Sequence, residues 1–125
     1  NVQNKKAYTN ISLVKESVDL VIIAIPSKFV IEAVNDCIKS NIKNIVIISA
    51  GFKEVGEEGK KREKNLKQII KENNINLIGP NCLGFLNPEI NLNCSFAKDI
   101  STSGEIALIS QSGAIIDAII DWSFK

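Results

Sequence analysis

Residues 18–25, VDLVIIAI, are followed by Pro26 and then by SKFVIEAVNDCIKSN over residues 27–41, and this stretch decides the fold. The first part is a nearly continuous run of β-branched and aliphatic residues broken by a single Asp. A strand covered on both faces reads this way, and such strands belong to parallel sheets. Pro26 stops the run, because it has no N–H to give to a ladder. In the second part Val30, Ala33, Val34, Cys37 and Ile38 recur at steps of three and four, the spacing of one helix face, and Ser27 is placed to cap its start. The unit then repeats. Residues 44–49 (NIVIIS) predict a second buried strand, and AGFKEVGEEG a loop containing Gly51, Gly56 and Gly59. A charged helix is expected from Glu57 to Glu72, with Glu57–Lys61, Glu58–Arg62 and Glu63–Lys67 four apart as in a solvated helix, and a narrow apolar seam of Leu66, Ile69 and Ile70. Residues 75–78 form a third short strand closed by Gly79-Pro80. Strands alternating with helices predict βαβ units in a parallel, doubly wound α/β sheet.

Away from these units the pattern is less regular. Residues 81–103 hold turn residues at Asn87-Pro88 and no sustained period, so an extended crossing segment is expected, with a linker near residues 98–103. A fresh strand is expected at residues 105–110 (EIALIS), then the turn Ser110-Gln111-Ser112-Gly113, then a helix from Ala114 with Ile115, Ile116, Ile119 and Ile120 on one side. Residues 7–17 (AYTNISLVKES) predict a strand stub and a half-turn. The division that follows is residues 1–100 as one α/β domain lacking its first βα unit and residues 101–125 as the beginning of another. Both ends look cut from something larger, and residues 103–125 are too few to bury their own core, so they should lean on the first domain or be mobile.

Composition narrows the function. The chain has 125 residues, 45% hydrophobic and 23% charged, with a net charge of +1. That is a globular balance without the basic excess of a non-specific nucleic-acid binder. The longest apolar runs reach about eight residues against the roughly twenty of a membrane-spanning helix, so no membrane partner is expected, and the first residues do not form a secretion signal. There is no His, so neither a Ser–His nor a Cys–His nucleophile pair can be built, and no metal site is expected from Cys37, Cys82 and Cys94. Three unpaired cysteines and no signal point to a reducing cytoplasm. Cys37 belongs to an apolar helix stripe, Cys82 reads as a lining residue rather than a nucleophile, and Lys53, Glu54 and residues 57–64 read as a solvated face. Trp122 and Phe124 read as packing residues.

Ligands of open parallel sheets bind beyond the carboxyl ends of the strands. Here those positions are Ile25-Pro26-Ser27, Ser49-Ala50-Gly51-Phe52, Gly79-Pro80-Asn81-Cys82 and Ser110-Gln111-Ser112-Gly113. Small residues allow a ligand close to backbone N–H groups, and helix N-termini favour phosphates. The same residues also make ordinary short βα turns, and Ser112 is also an ordinary N-cap, so both readings stand on spacing alone. Neither GxGxxG nor GxxxxGK[ST] is present, which leaves the dinucleotide and P-loop fingerprints unsupported.

In order and spacing, VDLVIIAIPSKFV, IVIISAGFKEVGEEG, LIGPNCLGFLNP and IALISQSGAIIDAIIDW resemble the nucleoside-diphosphate-forming acyl-CoA synthetases. The likeness is to the α part of ADP-forming acetate–CoA ligases and, more distantly, to succinyl-CoA synthetase α. It implies a Rossmann-like CoA-binding domain followed by a flavodoxin-like domain. It also implies conversion of acyl-CoA, ADP and phosphate to acid, CoA and ATP through an acyl-phosphate and a phosphohistidine. Ile25, Pro26, Ser27, Ser49, Ala50, Gly51 and Phe52 would line the CoA nucleotide, and Asn81 and Cys82 would sit near the thiol end. Ser110, Gln111, Ser112 and Gly113 would hold the phosphoryl group. ADP, ATP and Mg would belong to an ATP-grasp partner, either a β subunit or a fused domain, and not to this chain. The family's glycine-rich CoA turn and its nucleophilic His have no match here, so the isolated chain is expected to be inactive and to bind CoA weakly. A protein lysine acetyltransferase that carries the same domains as a ligand sensor is the alternative.

Overall fold

The computed structural model describes residues 2–124 and contains the expected parallel sheet. β1 (Val21–Ile23), β2 (Asn44–Ile47) and β3 (Asn76–Ile78) lie in the order β1-β2-β3, all parallel. Val46 pairs with Ile22 on one side and with Ile78 on the other, so β2 is central. The crossovers are α1 (Val30–Lys39) and α2 (Glu57–Glu72). Alternation sends Ile45 and Ile47 to one face of β2 and Val46 to the other, and all three are buried. Ile45 and Ile47 share one core cluster with Val30, Val34 and Cys37 of α1, Leu66 of α2, and Phe52 from the loop between β2 and α2. Burying each such aliphatic or aromatic side chain contributes about 1.5–3 kcal/mol. The apolar stripe of α1 is therefore what closes the sheet's inner face.

Several local expectations are corrected. Ser27 does not cap α1: it lies within a single 3-10 turn, Ser27–Phe29, which leads into the helix, and Phe29 N–H donates to the Pro26 carbonyl. That turn satisfies the backbone locally and leaves the Ser27 hydroxyl for a long-range partner. The Glu57–Lys61 and Glu58–Arg62 pairs do not form; Glu57 pairs with Lys60 at 2.7 Å instead. Glu63 pairs with Lys67 at 2.8 Å as expected, but it is buried rather than solvated. In residues 7–17 the expected half-turn is present as the 3-10 turn Ile11–Leu13, whose cap is the Asn10 side chain, but the expected strand stub is not.

The irregular segment folds into a hairpin. β4 (Gly84–Asn87) and β5 (Leu92–Ser95) pair antiparallel, joined by the 3-10 turn Pro88–Ile90 with Asn91 left-handed at φ 52°. The hairpin hides in the sequence because β4 is half-buried along its whole length and β5 buries only Cys94, so neither strand alternates fully. Residues 105–110 do not form a strand. Their backbone finds no ladder partner among the described residues, and Ile106 and Ile109 are 94% and 97% exposed. α3 (Gly113–Trp122) forms with Ser112 as its cap, and a Cβ on Gly113 would lie 3.5 Å from Leu83. Trp122 and Phe124 are exposed and pack no core.

Gly59 shows how tightly the β2–α2 loop is folded. A Cβ there would meet the backbone carbonyl of Phe52 well inside van der Waals contact. In an exposed helix position Gly→Ala is stabilising by about 1 kcal/mol. Here Gly59→Ala is expected to have the opposite sign and to destabilise by about 1–3 kcal/mol. The urea midpoint of the native protein measures this, and an unchanged or raised midpoint would contradict the packing.

Candidate ligand-binding site at the strand ends

The carboxyl ends of the three parallel strands are stitched together by one residue, through both its side chain and its backbone. Ser49 lies just past β2. Its hydroxyl accepts the N–H of Ile25 at 3.0 Å and donates to the Ile23 carbonyl at 3.4 Å, which ties down the end of β1. Its carbonyl accepts the N–H of Asn81 at 3.1 Å, which ties down the segment after β3. The Cys82 thiol donates to the Ile47 carbonyl at 3.4 Å. Gly79 and Asn81 both take left-handed backbone, at φ 95° and 53°, and the Gly79-Pro80 peptide bond is cis. A Cβ on Gly79 would run into the Ile47 carbonyl, so only Gly lets this turn lie against β2.

The turns after β1 and β2 also touch. Gly51 is left-handed at φ 101°, and a Cβ on it would collide with the Ser27 hydroxyl. Arg62 reaches across from α2, and its Nη1 donates both to the Gly51 carbonyl and, at 3.3 Å, to the Ser27 hydroxyl. The Glu54 carboxylate turns back and accepts the N–H groups of Gly51 and Phe52. Glu63 accepts the N–H of Lys53 at 3.2 Å while holding Lys67. The β2–α2 loop is therefore pinned by three charged side chains, Glu54 from the loop itself and Arg62 and Glu63 from α2. Sequence reading took Glu54, Arg62 and Glu63 for a solvated face. Only the buried position of Glu63 in the α2 seam, three residues before Leu66, carried a signal of this.

The expected site residues divide as follows. Ile25, Pro26 and Ala50 are exposed, Ser27, Ser49, Gly51 and Cys82 are half-buried, and Asn81 is exposed, all on this one end of the sheet. Phe52 is fully buried, so its side chain serves the core and its N–H is already held by Glu54. In the turn before α3, the Ser110 hydroxyl accepts the Ser112 N–H at 3.0 Å, and the Ser112 hydroxyl accepts the Ile115 N–H at 3.4 Å. Gly113 abuts Leu83, which brings this turn beside the residue that follows Cys82.

Burial pushes the Cys82 thiol up from its ordinary range, so it stays protonated at neutral pH. The ion pair with Lys67 holds the Glu63 carboxyl below its usual range against the opposing effect of burial. For Glu54, burial pushes up, but the N–H groups of Gly51 and Phe52 outweigh it and the carboxyl is held low. A depression of about 400 Å³ beside Lys67, Lys71 and Asn74 lies at the opposite, amino end of β3. Among the described residues no helix is long and apolar enough to cross a membrane.

Residues 1–88 match the family described as "CoA binding domain". The chain belongs to this family. As a CoA binding domain it is 44% identical over 116 residues to acetate–CoA ligase [ADP-forming] I of Archaeoglobus fulgidus, covering 93% of this chain and 17% of that protein. It is also 44% identical over 124 residues to acetate–CoA ligase [ADP-forming] II subunit alpha of Pyrococcus furiosus, covering 99% of this chain and 27% of that subunit. Among solved structures it superposes on a dinucleotide-forming acetyl-coenzyme A synthetase 1 of Ca. Korarchaeum cryptofilum in complex with phosphate and ADP. There the TM-score is 0.89 at 35% identity, covering 98% of this chain and 26% of that one. The domain thus spans well under a third of the length of these relatives. The Rossmann-like α/β fold expected from the sequence is that of this family.

The depressed carboxyls set the acid limb of stability. A carboxyl whose folded value is lowered contributes stability that is present above its unfolded value, near 4.5, and is lost as pH falls through the folded value. The urea midpoint is expected to hold from neutral pH down to about that value and to fall below it. Glu63→Gln should lower the midpoint at neutral pH and flatten the acid fall. Parallel pH curves for the two proteins would contradict this account of Glu63.

Proposed function

We propose that this chain is the CoA-handling part of an ADP-forming acyl-CoA synthetase of the acetate–CoA ligase kind. Residues 1–100 form the CoA-binding unit, and residues 101–125 begin the flavodoxin-like ligase unit. The observation that carries the reading is the convergence at one sheet end of Ser27, Ser49, Gly51, Asn81 and Cys82, held there by Ser49, Arg62 and the Ile47 carbonyl. These are small residues from separate turns, in the place where parallel sheets take extended ligands. Ile25, Pro26, Ser27, Ser49, Ala50, Gly51 and the backbone of Phe52 line the nucleotide portion, and Asn81 and Cys82 line the pantetheine end. A protonated Cys82 suits this role, since it neither attacks an acyl thioester nor competes with the CoA thiol. Ser110, Gln111, Ser112 and Gly113 hold the phosphoryl group at the start of α3, where free N–H groups favour an anion.

In the whole enzyme the chemistry runs in three steps. Phosphate attacks the acyl carbonyl and CoA leaves as its thiol, giving an acyl-phosphate. A His then takes the phosphoryl group and releases the acid, and ADP accepts it to become ATP. This sequence contains no His, so the phosphohistidine forms elsewhere. ADP and Mg bind an ATP-grasp part, supplied as a β subunit or as a fused domain in the cytoplasm. The support is the family match together with the activities of the relatives it resembles.

The test uses the native protein that carries this sequence. It is expected to bind CoA stoichiometrically by calorimetry and to make ATP from acetyl-CoA, ADP and phosphate. The 125-residue polypeptide alone should take up no acid-labile phosphate and make no ATP. Absence of CoA binding by the native protein would overturn the proposal.

A further inference from the structure

The loop after β2 has the shape of an anion-binding turn, yet its donors are spent. Glu54 already occupies the N–H groups of Gly51 and Phe52. A phosphate placed there would have to displace a carboxylate and approach its charge. The start of α2 is no better, since Glu57 and Glu58 lie in its first turn, where they already satisfy the helix dipole. Positive compensation for an anionic ligand at this seam must therefore come from a side chain. Arg62 is the chain's only arginine, it is half-buried, and no carboxylate pairs with it among the described residues. Its hydrogen bonds there run through Nη1 alone, to the Gly51 carbonyl and the Ser27 hydroxyl. Those two bonds fix the guanidinium plane at the junction of the β1 and β2 turns and leave its remaining N–H fork for a planar or tetrahedral oxyanion.

We propose that Arg62 and Glu54 together decide which part of CoA lies over this seam: Arg62 binds a phosphate of the ligand, and Glu54 bars phosphate from the Gly51 and Phe52 N–H groups. The inference rests on the proposed CoA reading and deepens it. It assigns anion recognition to a helix side chain rather than to the loop's backbone. A phosphate sits beside Ser27 and Arg62, and the uncharged parts of the ligand pass over Gly51.

The experiment is calorimetric titration of the native protein with CoA and with pantetheine, which has no phosphate, at two salt concentrations. The proteins compared are wild type, Arg62→Gln, Arg62→Lys and Glu54→Gln. Losing a charged hydrogen bond is expected to weaken CoA about tenfold or more in Arg62→Gln, and to leave pantetheine within about twofold. The salt dependence of CoA binding should become shallower in that variant. Arg62→Lys, which keeps the charge, should recover part of the loss. Glu54→Gln should tighten CoA a few-fold and leave pantetheine unchanged, because a negative charge beside the phosphate is removed while the amide oxygen still accepts from the loop. Equal weakening of CoA and pantetheine in Arg62→Gln would show that Arg62 only braces the fold, and would overturn the inference. So would CoA affinities unchanged in both Arg62→Gln and Glu54→Gln. A wild-type protein that binds no CoA would instead overturn the functional reading beneath it.

Discussion

A central parallel strand must have every backbone group paired and both faces covered. Nearly everything in this domain follows from meeting that demand for Asn44–Ile47. β1 and β3 supply the ladders, and the stripe of α1 with Leu66 and Phe52 supplies one face. Short strands leave little length to share, so the chain departs from the ladder within a residue or two of each end. Beyond that point the backbone needs other partners. Ser49 provides them for the β1 and β3 segments at once. The site is thus a by-product of how the sheet terminates. The same hydrogen bonds that end the strands hold their end residues at fixed spacing.

Close approach is the second constraint. Gly51 against Ser27, Gly59 against the Phe52 carbonyl, and Gly79 against the Ile47 carbonyl each leave no room for a Cβ. These contacts draw the turns inward and turn the carboxyl end of the sheet into one continuous surface rather than three separate loops. Charged side chains then set its sign. Glu54 and Glu63 close the β2–α2 loop from within, and Arg62 remains without a carboxylate partner among the described residues. A nearly neutral chain can in this way present a local positive group where a phosphate-bearing ligand would lie.

Much of this was legible in the sequence, because the signals were periodic. Residues 44–49 read as a buried strand from their β-branched run, and Ile45, Val46 and Ile47 of β2 are buried. Residues 18–25 were expected to be covered on both faces, but only Val21–Ile23 form a strand, and Ile22 and Ile25 are exposed, because β1 is the sheet's edge. α2 was placed with both bounds as observed. What escaped reading depends on partners distant in the chain. The β4–β5 hairpin lacks alternation because only Cys94 of its second strand is buried. Residues 105–110 carry a strand's composition, but a strand needs a neighbouring ladder, and none of the described residues provides one. Ser27 has an N-cap's composition, yet the 3-10 turn and Arg62 claim it first. Glu54 carries no periodic signal, since its role comes from the loop turning back onto itself, and the helical spacing of Arg62 pointed to Glu58 rather than to the Gly51 carbonyl and Ser27. The residues beyond β1, β2 and β3 were recognised by position, although residues 110–113 follow no strand. Of the side chains that hold the turns in place, Ser49 was expected while Glu54 and Arg62 were not.

The central claim is that the ends of β1 and β2 and the turn after β3 form one CoA-binding surface. Amide chemical-shift mapping of the native protein during titration with CoA tests it most directly. The account predicts that the largest shifts fall on Ile25, Ser27, Ser49, Gly51, Asn81 and Cys82, with Asn73–Asn76 at the opposite end of the sheet unmoved. Shifts concentrated on that opposite end, or on the exposed face of α2 away from Arg62, would contradict it.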